Sequence, residues 1–347
     1  MNALAADLNL LVEAVQSISS SKNYWFIRTQ TGSLYQTFID NNYVSIGHKE
    51  VPVQFLTTKK NIYATNESSI IKEIKSMIKS YHASDEPPLN ERSISLIASQ
   101  IVRFVYDIKV GDIIIIPSSK SNEINFGVIE NEQLVDADYN KNEDAACLKR
   151  HVRWIREVKR RELDPYLYRM FNAQQAVNKV NDYAEIIERS INDLFILDEE
   201  AHFIINVKSD TIAAKDLFGL GSNLMGILDE ISEKFKLGIS SDDLQVTINI
   251  NSPGKIDIKS KIKSTTIVLG IILLLCGGGY ETADGTKLST DGLPGIIKEI
   301  DNFLNHRQER KLKEDILATY RDSLQIKEPE DLVLLLKQFS ENKDIAK

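Results

Sequence analysis

The stretch KSTTIVLGIILLLCGGGYE, residues 263 to 281, constrains the chain more than any other part of it. Between Lys263 and Glu281 the only ionisable side chains are Cys276 and Tyr280, an uncharged window of about 17 residues, the lower edge of what a bilayer helix needs. Such a helix rises about 25 Å, short of the roughly 30 Å hydrocarbon layer. Lys259, Lys261 and Lys263 precede it, and Glu281 and Asp284 follow. Were the segment to span, the positive-inside bias would place the preceding residues in the cytoplasm. Gly270 and Gly277 to Gly279 would let neighbouring helices approach closely in lipid. A short apolar helix packed beneath a preceding β-hairpin fits the same residues, and the sequence leaves both readings open.

The rest of the chain has a charged, water-facing texture. Its 347 residues exceed what one small core needs and predict two or three folding units. With 42 basic against 50 acidic residues there is no broad positive field to draw in duplex DNA without a local patch. Cys147 and Cys276 lie far apart with no CxxC or Cys/His spacing, which fits a reducing cytoplasm and suggests neither zinc nor a disulfide framework. Leu8, Leu11, Val12, Val15 and Ile18 recur at helical spacing without a basic lead-in, so residues 1–21 read as an amphipathic helix and not as a secretion signal. The expected location is cytoplasmic, with the inner membrane reached through 264–280 if that segment inserts.

Catalytic signals are weak. His48, His82, His151, His202 and His306 are scattered, with no ligand or triad partner at a recognised spacing. CGGGYETADG lacks the Lys-Ser/Thr that follows the glycines of a phosphate loop. Glu123, Glu130 and Asp136 sit near strands, but no Glu-x-Lys accompanies them for metal-assisted strand cleavage. No catalytic residue, metal ligand or cofactor is assigned, and an enzyme is the less favoured reading.

Periodicity predicts an α+β fold. Tyr24 to Arg28 and Tyr43 to Gly47 read as short strands, 68–82 and 91–106 as helices separated by the Pro87-Pro88 loop, and Val110 to Ile116 and Ile124 to Ile129 as further strands. Short strands wrapped with two helices suggest a small, strongly bent barrel over 22–163. Residues 164–200 read as a helical connector. In 201–347, an α+β effector or interaction module, a strand at His202 to Val207 and a helix with Asp210 as N-cap precede a hairpin, in which Val246, Ile248 and Ile250 alternate with Thr247 and Asn249 before the turn Ser252-Pro253-Gly254. The apolar Gly-rich helix and a closing helical region, Gly295 to Phe339, complete the module.

One composite constellation stands out: Tyr24-Trp25-Phe26-Ile27-Arg28, Ile46-Gly47-His48, Val110-Gly111-Asp112, Phe126-Gly127-Val128-Ile129 and His151-Val152-Arg153-Trp154. In that order it resembles the PUA-like, EVE-like domain at the N-terminus of Mrr-type restriction and other phage-conflict proteins. The chain departs from that family at His48, where Trp commonly follows the glycine. The resemblance implies a pocket for a nucleotide ligand or a modified base, drawing on Trp25, Arg28, Gly47, His48, Lys120, His151, Arg153 and Trp154. The tryptophans offer faces for stacking, while Arg28, Arg153 and Lys120 suit phosphates or base edges. Asp112 reads as a turn-shaping residue. RHVRWIREVKRREL, residues 150–163, reads equally as a phosphate-facing edge or as ordinary surface charge.

The implied function is a non-enzymatic anti-phage defence protein. Its PUA-like domain would sense the ligand, and its C-terminal module would respond by oligomerising or by disturbing the inner membrane. The alternative is a soluble nucleic-acid-binding adaptor that recruits a partner nuclease. The expected partners are accordingly the nucleotide or modified base, nucleic acid, the inner membrane and further copies of the chain.

Overall fold

The computed structural model describes residues 3–18, 22–136, 148–209, 213–249, 254–277, 293–306 and 310–341. Its first helix, α1 (Ala3–Ile18), belongs with the second half of the chain: residues 1–20 and 188–347 form one unit and residues 21–187 another.

The unit 21–187 contains, in chain order, β1 (Tyr24–Ile27), α2 (Tyr35–Asp40), β2 (Tyr43–Ile46), α3 (Val53–Lys59), α4 (Tyr63–Tyr81), α5 (Glu91–Val102), β3 (Ile113–Pro117), β4 (Glu123–Asp136), β5 (Leu148–Lys159) and β6 (Val177–Lys179). The six strands form one sheet in the order β2-β5-β4-β3-β1-β6. β1 and β3 run parallel, Tyr24 opposite Ile113 and Phe26 opposite Ile115, and every other pairing is antiparallel. A parallel pair cannot be closed by a tight turn, and here the excursion from 28 to 112 carries β2 and all the long helices of the unit.

The sheet curls into a half-barrel. Two register shifts in the β4–β5 pairing, after Phe126 and after Ile129, bend its longest strand. Gly127 sits at the first of them, where a Cβ would lie 2.7 Å from the Trp154 ring, so only glycine lets the strands close up. Trp25, Ile27, Ile114, Ile116, Ile129 and Val152 line the inner face, and Ile70, Ile74 and Ile78 of α4 with Ile94, Ala98 and Ile101 of α5 join them in one core. These helix residues recur at intervals of three or four, the spacing that places them on one stripe. Asn90 starts α5 by accepting a hydrogen bond from the Ser93 amide at 2.8 Å.

Residues 164–187 correct the expected helical connector. Asp164 accepts from the Tyr166 amide at 2.9 Å and Pro165 opens a 3-10 segment, Pro165–Asn172, that buries Leu167 and Met170 and brings Phe171 to 6.0 Å from Phe26. The chain then pairs as β6 along β1, Val177 opposite Ile27. Tertiary pairing overrides the helical periodicity, because β1 otherwise presents an open edge.

The boundary between units falls within α6 (Ala184–Ile191). The second unit continues with β7 (Leu194–Leu197), β8 (Glu200–Val207), α7 (Ala214–Phe235), β9 (Gln245–Asn249), β10 (Gly254–Ser260), α8 (Lys263–Cys276), α9 (Gly295–Leu304), α10 (Arg310–Ala318) and α11 (Glu330–Glu341). Its sheet is antiparallel throughout, in the order β7-β8-β10-β9. Asp210, Ile250 and the Ser252-Pro253 turn, with which the sequence opens α7 and closes the hairpin, lie outside the described residues.

The apolar segment forms α8, 14 residues long, every residue of it from Thr265 to Cys276 buried. It packs on β8, β10, α1, α7, α9 and α10, and a Cβ on Gly270 would lie 3.1 Å from the Phe203 ring. Among the described residues no helix is long and apolar enough to cross a membrane. This decides against the spanning reading for 263–277; residues 278–280 lie outside the described residues. Cys276 is an interior side chain whose thiol pKa burial pushes up to about 12.

α1 buries Leu8, Leu11 and Val15 in the same core as α8. Its Asp7 carboxylate accepts from the Ile296 amide at 3.0 Å in the first turn of α9.

Candidate functional site

Asp112 organises one end of the half-barrel. Held at 2 % exposure, it accepts hydrogen bonds from the Asn23 amide (2.9 Å), the Lys109 amide (2.9 Å) and the Trp25 indole Nε1 (2.8 Å). The turn-shaping role read from Gly111-Asp112 therefore extends to fixing Trp25. With only 2 % of its own surface exposed, Trp25 is a core side chain whose polar edge is satisfied from within the unit.

Arg150 is the second buried polar centre. It lies on the inward side of β5 and donates to the backbone carbonyls of Phe104 (3.3 Å), Ile108 (2.7 Å) and Asn131 (3.2 Å). Burial lowers its pKa to about 10, opposed by the nearby carboxylates of Asp112 and Glu132, so it remains charged at neutral pH. One cation of the basic run 150–163 is thus a structural clamp.

The remaining sequence-predicted residues occupy separate places. Trp154 is half-buried and donates its indole N–H to the Phe38 carbonyl at 3.2 Å. His151 stands opposite Tyr43 in the β2–β5 pairing, and Arg153 is exposed 3.5 Å from Glu130. Arg28 is exposed and donates to the Gln174 carbonyl at 3.1 Å. Gly47 is exposed after β2, and His48 leans toward Glu50 at 3.4 Å. Lys120 occupies the β3–β4 connection with φ of 55°, a left-handed conformation shared by Ser121.

The Lys120 carbonyl, which accepts from Arg160, places this residue beside a cavity. That cavity, of about 490 Å³, is lined by Asn122, Glu123, Lys159, Arg160, Arg161 and Tyr168. Its walls come from the β3–β4 connection, the end of β5 and the 3-10 segment Pro165–Asn172, which the strand pairing of Glu123 with Lys159 brings to one end of the sheet. Arg160 is held: its amide donates to the Asn122 carbonyl at 2.8 Å and its Nη1 to the Lys120 carbonyl at 3.3 Å. Its guanidinium lies 4.6 Å from the Tyr168 ring centre and 5.4 Å from that of Phe171. The Tyr168 hydroxyl closes the loop by donating to the Arg160 carbonyl at 2.8 Å. Lys159 and Arg161 are left exposed beside it. Three cations, one aromatic ring, one carboxylate and one amide therefore converge on one concavity, a donor-rich set suited to an anionic guest with polar edges. Tyr168 was not legible as a site residue, since only the fold of 165–172 brings it back to β5.

Three polar clusters were also beyond sequence reasoning. The Tyr35 hydroxyl donates to Glu157 at 2.9 Å beside buried Asn125, and burial raises its pKa. The histidines, which sequence spacing leaves unpaired, find carboxylates through the fold. His202 Nδ1 lies 3.1 Å from Asp257 across the β8–β10 pairing. His82 lies 2.6 Å from Asp85 and 3.2 Å from Glu50.

Burial opposes the charged form of Glu50, but hydrogen bonds from His48, with further help from His82, outweigh it and lower its pKa to about 2. Asp85 first and Glu50 second raise the pKa of His82. The His82 contribution to stability is whole below about pH 6.5 and is lost as pH rises through its raised folded value. The Glu50 contribution is whole above about pH 4.3 and is lost as pH falls toward its folded value. Stability of this unit, followed as the urea midpoint, is expected to decline on the alkaline side of pH 6.5, and His82→Ala to remove that decline. Parallel pH profiles for the two proteins would show that the cluster contributes nothing.

Residues 25–181 match the model of a family described as a domain of unknown function (DUF8426). The matched span begins at Trp25 and lies within the unit 21–187. No curated protein and no solved structure matches the chain.

Proposed function

We propose that the unit 21–187 is a PUA-like recognition module for a phosphate-bearing nucleotide or modified base, working in anti-phage defence, and that the second unit responds by self-association. The observation that carries this reading is the cavity at the end of β5. Its volume falls in the range of small-molecule sites, and it sets Lys159, Arg160 and Arg161 beside the Tyr168 ring. Phosphate oxygens suit the exposed Lys159 and Arg161, while Asn122 and Glu123 offer a donor and acceptors for sugar hydroxyls or base edges. The motifs resembling PUA-like and EVE-like domains support the same module. The buried position of Trp25 moves the expected aromatic contact from the tryptophans to Tyr168. The membrane-disturbing response finds no support in α8, whose apolar surface is spent on its own core.

Isothermal titration of the full chain against a panel of mono- and dinucleotides and short modified or unmodified DNA tests the reading. Binding of at least one probe is expected, and Lys159→Glu with Arg161→Glu is expected to weaken it more than about tenfold, the equivalent of losing roughly 1.4 kcal/mol or more. A panel without any binder, or equal affinity in the double variant, would sink the proposal.

A second reading, the nucleic-acid-binding adaptor, is favoured by one observation: Arg153, Lys159 and Arg161 are all exposed along and just beyond a single strand. Salt titration separates the two. An extended phosphate track gives affinity that falls steeply with salt in proportion to the phosphates neutralised, whereas a single nucleotide gives a shallow slope.

A further inference from the structure

The second unit's sheet ends on β9, which among the described residues pairs with β10 alone. The register places Val246 opposite Ile258 and Ile248 opposite Ile256. Val246 and Ile248 therefore continue the face on which Ile256 and Ile258 join the core of the unit. The continuity of burial stops there: Ile256 and Ile258 are each 5 % exposed, Val246 43 % and Ile248 40 %. Gln245 and Thr247, on the other face, are exposed as well.

Natural edge strands are usually blunted by a lysine, a proline, a bulge or a covering loop. The strand QVTIN has no charged residue and no proline, its pairing with β10 is regular over all five positions, and its described side chains are open to solvent. Its outward amides and carbonyls are thus presented beside an apolar strip, the arrangement that an added strand satisfies.

We propose that β9 pairs with the same strand of a second copy of this chain. An antiparallel pairing about a two-fold axis at Thr247 sets Val246 against Ile248 of the partner subunit and joins the two four-stranded sheets into one of eight. A neutral strand meets its own copy without like-charge repulsion, which a randomly chosen charged edge would not. The two-fold contact satisfies the β9 edges of both copies at once, so this pairing closes on itself as a dimer. This deepens the self-association assigned to the second unit, but it needs no ligand, so its success or failure is separate from that of the cavity.

Sedimentation velocity of the full chain over roughly 1 to 100 µM, a range that spans modest dimer affinities, is the test. The dimer mass is expected for the wild type. Val246→Lys with Ile248→Lys, two changes at exposed positions, is expected to weaken dimerisation at least 100-fold and give the monomer mass with an unchanged circular-dichroism spectrum. Should that variant misfold, Thr247→Pro, which disturbs the edge without adding charge, decides instead. A wild type that is monomeric throughout the range, including one whose β9 serves another protein, overturns the proposal, as does a folded edge variant that keeps the dimer mass.

Discussion

Asp112→Ala is expected to destabilise the unit 21–187 by about 3–5 kcal/mol, a large fraction of what a domain of this size has. The carboxylate serves the Asn23 amide and Trp25 indole N–H at the start of β1 and the Lys109 amide in its own loop, two stretches of chain. Each donor stranded away from water costs about 1–3 kcal/mol. Trp25 is the fully buried one, while Asn23 and Lys109 recover part of the loss by hydration. Asp112→Asn keeps one oxygen acceptor and is expected to cost about half as much. Urea unfolding followed by tryptophan fluorescence is a selective measurement, because both tryptophans of the chain, Trp25 and Trp154, lie in this unit. A shift under about 1 kcal/mol for the alanine variant would show that Asp112 does not organise this end of the sheet.

Arg150→Met is expected to be of similar size, about 3–5 kcal/mol, the range for removing one partner from a buried charged network. Three carbonyls, those of Phe104, Ile108 and Asn131, lose their donor together. Arg150→Lys keeps the charge but replaces a planar fork by a single ammonium, which cannot serve all three in that geometry, so it recovers only part of the loss. The favourable field of Asp112 on Arg150 couples the two sites. The double variant Asp112→Ala, Arg150→Met is accordingly expected to fall short of the sum of the singles by more than about 0.5 kcal/mol. Additive losses would mean that the two centres act apart.

How much of this was legible follows from the distance over which each feature is determined. β1, β2 and the hairpin alternation are local: aromatic and β-branched runs with period two specify a strand wherever it pairs, and the register confirms Val246 and Ile248 on one face. The stripes Ile70-Ile74-Ile78 and Ile94-Ala98-Ile101 likewise declare their helices. Arg150 was not separable from its exposed neighbours, because a strand alternates and nothing in RHVRWIREVKRREL says which side faces the core. β6 is three residues whose only reason to be extended is the edge of β1, more than 140 positions earlier. Glu50 beside His82 and Asp257 beside His202 have the same non-local origin, as does the return of Tyr168 to the end of β5. The fate of the apolar stretch was undetermined by its own composition. What decides it is the supply of partners, β8, β10 and four helices, that surround α8.

The discontinuity of the second unit has a consequence for biosynthesis. α8 and α9, which α1 packs against, are encoded more than 240 residues after it. At ordinary elongation rates of about 5–20 residues per second, Leu8, Leu11 and Val15 wait roughly fifteen seconds to a minute for the part of their core that α8 and α9 supply. Until then α1 has only β7 of the three elements it packs against most. The unit 21–187 is free to mature during that interval, and the second unit closes only once α8 and α9 have been made.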